Sequence, residues 1–148
     1  MPKLDLAAIP ALNRTGYPPD HARAVADRWV RRLAPVTGLT DFGASHVTLK
    51  PGAWSSQRHW HEDEDELVVM LAGEATLVDD TGRASLRAGD IAVFPKGERN
   101  GHHLVNESGA DCVFVAIGRP PQGPCSYPDI DMQYNGDTGF TRKDGSAF

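Results

Sequence analysis

Between residues 44 and 117 the chain switches between short apolar-rich runs and turn-forming residues, with no apolar stripe long enough for a core helix. Runs at 45–49, 59–61, 66–71, 74–78, 85–86, 91–94, 102–106 and 112–117 read as strands of the usual length. Pro51-Gly52, Asp79-Asp80-Thr81-Gly82, Pro95-Lys96-Gly97 and Glu107-Ser108-Gly109 lie between them and supply the fixed or positive φ angles that turns need. Such regular spacing predicts an all-β sandwich or barrel. Upstream, residues 20–30 have a short helix-like periodicity among loop-like neighbours, so residues 1–43 are expected to form an N-terminal arm. Downstream, 118–148 carry Pro120, Pro121 and few apolar residues, and are expected to be an extended tail over the barrel formed by 44–117.

Composition narrows this further. The chain has 148 residues, 40% of them hydrophobic, which suits one domain with one core. Its 15 glycines and 11 prolines fit many turns between short strands. A net charge of -5 without a Lys/Arg cluster argues against a nucleic-acid partner, because binding phosphates takes grouped basic residues. No apolar run approaches the roughly 20 residues of a membrane span, and the N-terminus lacks a secretory apolar region. A cytoplasmic location is expected. Cys112 and Cys125 match no zinc-finger or redox-pair spacing and read as reduced thiols.

The chemistry sits in the histidines. Alternate residues of a strand share a face, so His59 and His61 aim two imidazoles into one cavity while Trp60 points the other way. Glu66 and His102 complete a four-ligand set for a divalent transition ion, Fe, Mn, Ni or Zn, that keeps open positions for water, substrate or dioxygen. Glu62, Asp63, Glu64 and Asp65 read as a solvated acidic loop, with Glu64 the alternative carboxylate ligand. His103 competes with His102. Inward parity for His102, Leu104 and Asn106 favours His102, and His21 and His46 have no partner spacing.

The stretch Gly52-Ala53-Trp54-Ser55-Ser56-Gln57-Arg58-His59-Trp60-His61, continuing through Glu66 to Gly73, resembles the first motif of the cupin superfamily. Gly89-Asp90-Ile91-Ala92-Val93-Phe94-Pro95-Lys96-Gly97, followed by His102 and Asn106, resembles the second. One extra residue separates Gly52 from His59, and two separate Gly97 from His102. The tail segment Phe140-Thr141-Arg142-Lys143-Asp144-Gly145 is also similar to small bacterial single-domain cupins. This resemblance implies a double-stranded β-helix of jelly-roll type and a bound metal. Similar small cupins often carry a sugar-phosphate-isomerase-like label, which is an analogy of fold.

Parity also assigns the remaining faces. Ser55, Gln57, Val68, Met70, Leu104 and Asn106 are expected inward, with Gln57, Met70 and Asn106 the candidate substrate contacts. Leu67, Val69 and Leu71 are expected outward, on a face too apolar for water, which predicts a homodimer with Trp60 near its edge. Three functions suit such a site. The first is a metal-dependent isomerase, epimerase or lyase on a small polyoxygenated molecule; the second an iron or manganese dioxygenase; the third a non-catalytic small-ligand-binding module. The first needs a base, and the inward positions offer none, which leaves metal-bound hydroxide or a tail residue such as Tyr127, Asp129 or Tyr134. Lys96, Arg99 and Arg142 are the basic residues that an anionic substrate would use.

Overall fold

The structure, a computed structural model, describes residues 3–119 and 123–148, so Pro120 and Pro121 lie outside the described residues. Twelve strands follow in chain order: β1 Arg28–Arg32, β2 Gly43–Leu49, β3 Trp60–His61, β4 Glu66–Ala72, β5 Glu74–Asp79, β6 Gly82–Arg87, β7 Ile91–Phe94, β8 His103–Val105, β9 Cys112–Gly118, β10 Cys125–Tyr127, β11 Met132–Asn135 and β12 Gly139–Thr141. Among the described residues helix is confined to single turns, α1 Pro19–Ala22, α2 Ala34–Thr37 and two short 3-10 pieces. All strand pairs are antiparallel, in sheets ordered β1-β2-β9-β4-β7, β6-β5-β8 and β12-β11-β10-β3. With few helices and antiparallel sheets this is a double-stranded β-helix.

The main core lies between the five-stranded and three-stranded sheets. Val47, Leu49, Val68, Met70, Phe114 and Cys112 face Ala75, Leu86 and Leu104 across it. Strand β4 shows the alternation that its sequence encodes: Val68 and Met70 are 2% and 1% exposed, while Leu71 is 48% exposed. The turn from β4 to β5 needs Gly73, because its φ is +72° and a Cβ there would lie 2.5 Å from the Asp111 carbonyl oxygen.

Two segments differ from their sequence reading. The helix-like stretch 20–30 is helical only to Val25, and its Trp29 and Val30 belong to β1, paired with Thr48 and Val47 of β2. Aromatic and β-branched side chains suit such a pleated surface once a partner strand exists. The tail is folded as well. Strands β10 to β12 form hairpins on β3, and Cys125, Tyr127 and Met132 make a second small core with Tyr17 and Phe140. The free backbone edge of a two-residue β3 explains why: β10 pairs Cys125 with His61 and Ser126 with Trp60.

Candidate metal centre

His59 and His102 face each other across an antiparallel bridge, with His59 N donating to His102 O at 3.1 Å and the reverse bond at 2.8 Å. His61 follows on β3 and Glu66 opens β4, so three separate segments deliver the four side chains. Their donor atoms converge within 4.8 Å of one another. His59 Nε2 lies 2.9 Å from His61 Nε2, and Glu66 Oε2 lies 3.3 Å from His102 Nε2, 3.4 Å from His61 Nε2 and 4.0 Å from His59 Nε2. Donors about 2.1 Å from a shared ion are separated by roughly 3.0 Å when adjacent and roughly 4.2 Å when opposite in an octahedron. The spacings from 2.9 to 4.0 Å lie close to that span.

The far side of each ring fixes which nitrogen points inward. His59 Nδ1 is 2.9 Å from the Gln57 carbonyl, and His102 Nδ1 is 3.2 Å from the Asn100 carbonyl. A carbonyl only accepts, so both Nδ1 atoms carry the proton and both Nε2 lone pairs face the centre. Behind His61, Glu64 Oε1 lies 2.6 Å from Nδ1. Acceptors behind ligand imidazoles are the usual way proteins orient them toward metal. His59 Nε2 and His61 Nε2 stand 2.9 Å apart, a separation bridged either by a proton on His61 or by an ion bound to both, and three imidazoles with one carboxylate form a donor set that fits a transition-metal ion.

Electrostatics differ from one ligand to the next. Burial pushes the His59 pKa down to about 3 despite the attraction of Glu66. For His61, burial also works downward, but hydrogen bonds and charge from Cys125 and Glu66 outweigh it and lift the value to about 10. Glu66 is opposed by burial, yet His102 and His61 hold its carboxyl well below the usual carboxylate range.

Other residues stand elsewhere than the sequence suggested. Glu64, read as part of a solvated loop, is 4% exposed and backs His61. His103 turns away from the donors, with Nδ1 3.0 Å from the Ser56 carbonyl and its ring edge-on to Trp54. The substrate contacts expected of Met70 and Asn106 are corrected. Met70 is enclosed in the main core, and the Asn106 amide donates to Leu49 O and Ala110 O while its carbonyl accepts from Ser108, so it locks a turn. Gln57 donates its side-chain N–H to His21 O and its backbone N–H to the Tyr17 hydroxyl, which fastens the N-terminal segment instead of facing open space.

Among the tail residues considered as a base, Asp129 is gripped by Arg58 at 2.6 and 2.7 Å, and Tyr134 packs on Phe140. Tyr127 is buried near His59, where burial foremost raises its pKa far above the usual range. Arg58 also reaches Asp80 and the Gly101 carbonyl. Sequence pattern gave no sign of Phe94, whose ring stacks on His102 at 3.6 Å with 4° between planes.

The cupin-domain family model matches residues 45–118, half of the chain, and spans all four donors. The chain belongs to the cupin family. A cupin structure from Silicibacter pomeroyi described as a sugar phosphate isomerase is 40% identical, with a TM-score of 0.92 over 99% of this chain and 96% of that one. This cupin is also 32% identical to an oxalate-binding protein of Thermotoga maritima over 73 residues, 49% of this chain and 58% of that protein. It is 27% identical to an endoribonuclease YbeY of Myxococcus xanthus over 92 residues, 62% of this chain and 30% of that protein. The cupin therefore spans less than two thirds of the length of both curated relatives. Among its described residues, no helix is long and apolar enough to cross a membrane.

Proposed function

We propose that this cupin is a metal-dependent enzyme of isomerase, epimerase or lyase type acting on a small polyoxygenated molecule. His59, His61, Glu66 and His102 hold one divalent transition ion, Fe, Mn, Ni or Zn. The observation that carries this reading is the orientation of the imidazoles: His59 and His102 each have a carbonyl acceptor at Nδ1, and all three rings turn Nε2 to the common centre. Such an ion supplies Lewis acidity toward a carbonyl or hydroxyl and a bound water of lowered pKa. Around it the chain supplies shape and order. Phe94 stacks on the His102 ring, Glu64 places a carboxylate behind His61, and a cavity of about 190 Å³ opens beside His61 and His102.

A dioxygenase is the second reading, and it is favoured by the apolar part of the cavity wall, Leu77, Leu86, Ala92 and Phe94, which needs little acid–base help. The likeness to an oxalate-binding protein supports capture without turnover as the outcome if neither activity is found. Metal analysis of untagged protein, followed by product mass and oxygen uptake with sugars and sugar acids for each metal, separates the three. Turnover in demetallated protein rejects both enzymatic readings.

We also propose that the cupin is a homodimer. On the outer face of the five-stranded sheet, Leu67 pairs with Val93 and Ile117, and Val69 with Ile91 and Val115. Ile91 and Val93 are 60% and 61% exposed, so one continuous apolar patch faces outward. A second copy seated on it removes that area from water.

A further inference from the structure

Two properties of the cavity beside the donor cluster select what enters it. Its volume, about 190 Å³, is little more than the roughly 150 Å³ that accommodates benzene, so the part of a ligand inside it has about six to eight non-hydrogen atoms. Its charge is the second property. No lysine or arginine is among its lining residues, whereas Asp79, Glu98 and Asn100 are. Asp79 is spent on Thr81, Gly82 and Asn100, and Asn100 on Asp79 and the Asp80 N–H. Glu98 is different: among the described residues its carboxylate has no hydrogen-bond or ion-pair partner, and it stands on the loop that leads to His102.

We propose that this cavity takes an uncharged polyhydroxylated compound of three or four carbons, whose hydroxyls donate to Glu98, and that it rejects the phosphorylated or dicarboxylate counterpart. This rests on the metal-dependent reading above and names its substrate class. Hydroxyl groups are donors that a carboxylate accepts from readily. A divalent ion on the donor cluster brings two positive charges, but the carboxylates of Glu66, Glu98 and Asp79 outnumber them, so a phosphate dianion in the same space still meets net like charge with no guanidinium or ammonium to offset it. The basic residues of the neighbouring loop do not serve, since Arg99 lies over the Trp60 ring and Lys96 is not part of the lining.

Zinc-loaded protein is titrated, by calorimetry and ligand-observed NMR, with dihydroxyacetone, erythrulose, dihydroxyacetone phosphate and oxalate, with zinc content assayed after each titration. The neutral compounds are expected to bind in the millimolar range and both anions at least tenfold more weakly. Glu98→Lys is expected to reverse that order and Glu98→Gln to abolish it, with zinc content unchanged in each. Tighter binding of dihydroxyacetone phosphate or oxalate than of dihydroxyacetone by the wild type overturns the proposal. So does an unaltered order in Glu98→Lys, or no binding of the neutral compounds up to 50 mM while zinc stays bound. Protein that never retains zinc or another divalent transition ion rejects the metal-dependent reading itself, and this proposal with it.

Discussion

Glu64 Oε1 and His61 Nδ1 are 2.6 Å apart, on the side of the imidazole opposite the donor cluster, with Glu64 only 4% exposed. A buried carboxylate in that position sets negative charge behind the ring, which makes Nε2 a stronger donor. Glu64→Gln keeps the shape and loses the charge. It is expected to weaken zinc binding by about 10- to 100-fold, the usual cost of losing such a partner. Competition against a chromophoric chelator measures this, and an unchanged dissociation constant removes Glu64 from the metal centre.

Arg58 joins the segment before His59 to the loop before His102 and to the tail, through Asp129, Asp80 and the Gly101 carbonyl. The Arg58 hydrogen bond foremost lowers the Asp129 pKa. A depressed carboxylate stabilises the fold above its unfolded pKa of about 3.9, and that contribution is lost as pH falls through the lower folded value. Asp129 is 54% exposed, so solvent screening limits the pair to about 1 kcal/mol or less. Urea midpoints should therefore show Asp129→Asn less stable than wild type at pH 7, with the gap closing as pH falls below about 4. A gap that persists at pH 2 contradicts this account.

Strands 45–49, 66–71, 74–78, 91–94 and 112–117 were legible because each pairs a β-prone run with a turn signal, and each lies within a strand of the structure. The clustering of His59, His61, Glu66 and His102 was legible for a related reason: strand parity needs no knowledge of the partner strand. What stayed hidden depends on distant contacts. Glu64 reads as loop until β3 and the tail close over it. Strand β1 forms only against β2, and β10 only against β3. Parity also misleads at Asn106, which is inward and fully buried, yet is consumed by the turn that carries Ser108.

Val69 stands at the centre of the outer apolar patch, opposite Ile91 on one side and Val115 on the other. Val69→Glu places a charge where a partner subunit would have to desolvate it, at a cost of several kcal/mol. Sedimentation velocity is expected to give a wild-type dimer at micromolar concentration and a predominantly monomeric variant with intact zinc content. A wild-type monomer under those conditions refutes the dimer.

His102 and His103 are equally buried, at 4% and 5% exposure, so burial does not distinguish them, but their partners do. His102 Nε2 faces Glu66, and His103 is tied to Ser56 and Trp54. Replacing either by Ala leaves a hole in a packed region and is expected to cost about 1–3 kcal/mol in the metal-free protein. Only His102→Ala should also lose bound metal. Binding at a thousandfold excess over the dissociation constant adds about 4 kcal/mol, worth roughly 10 °C in a chain of this length. Chelation should accordingly lower the wild-type and His103→Ala melting temperatures by about 10 °C and leave that of His102→Ala nearly fixed. Equal chelator sensitivity in the two variants means that His102 is not the third histidine ligand.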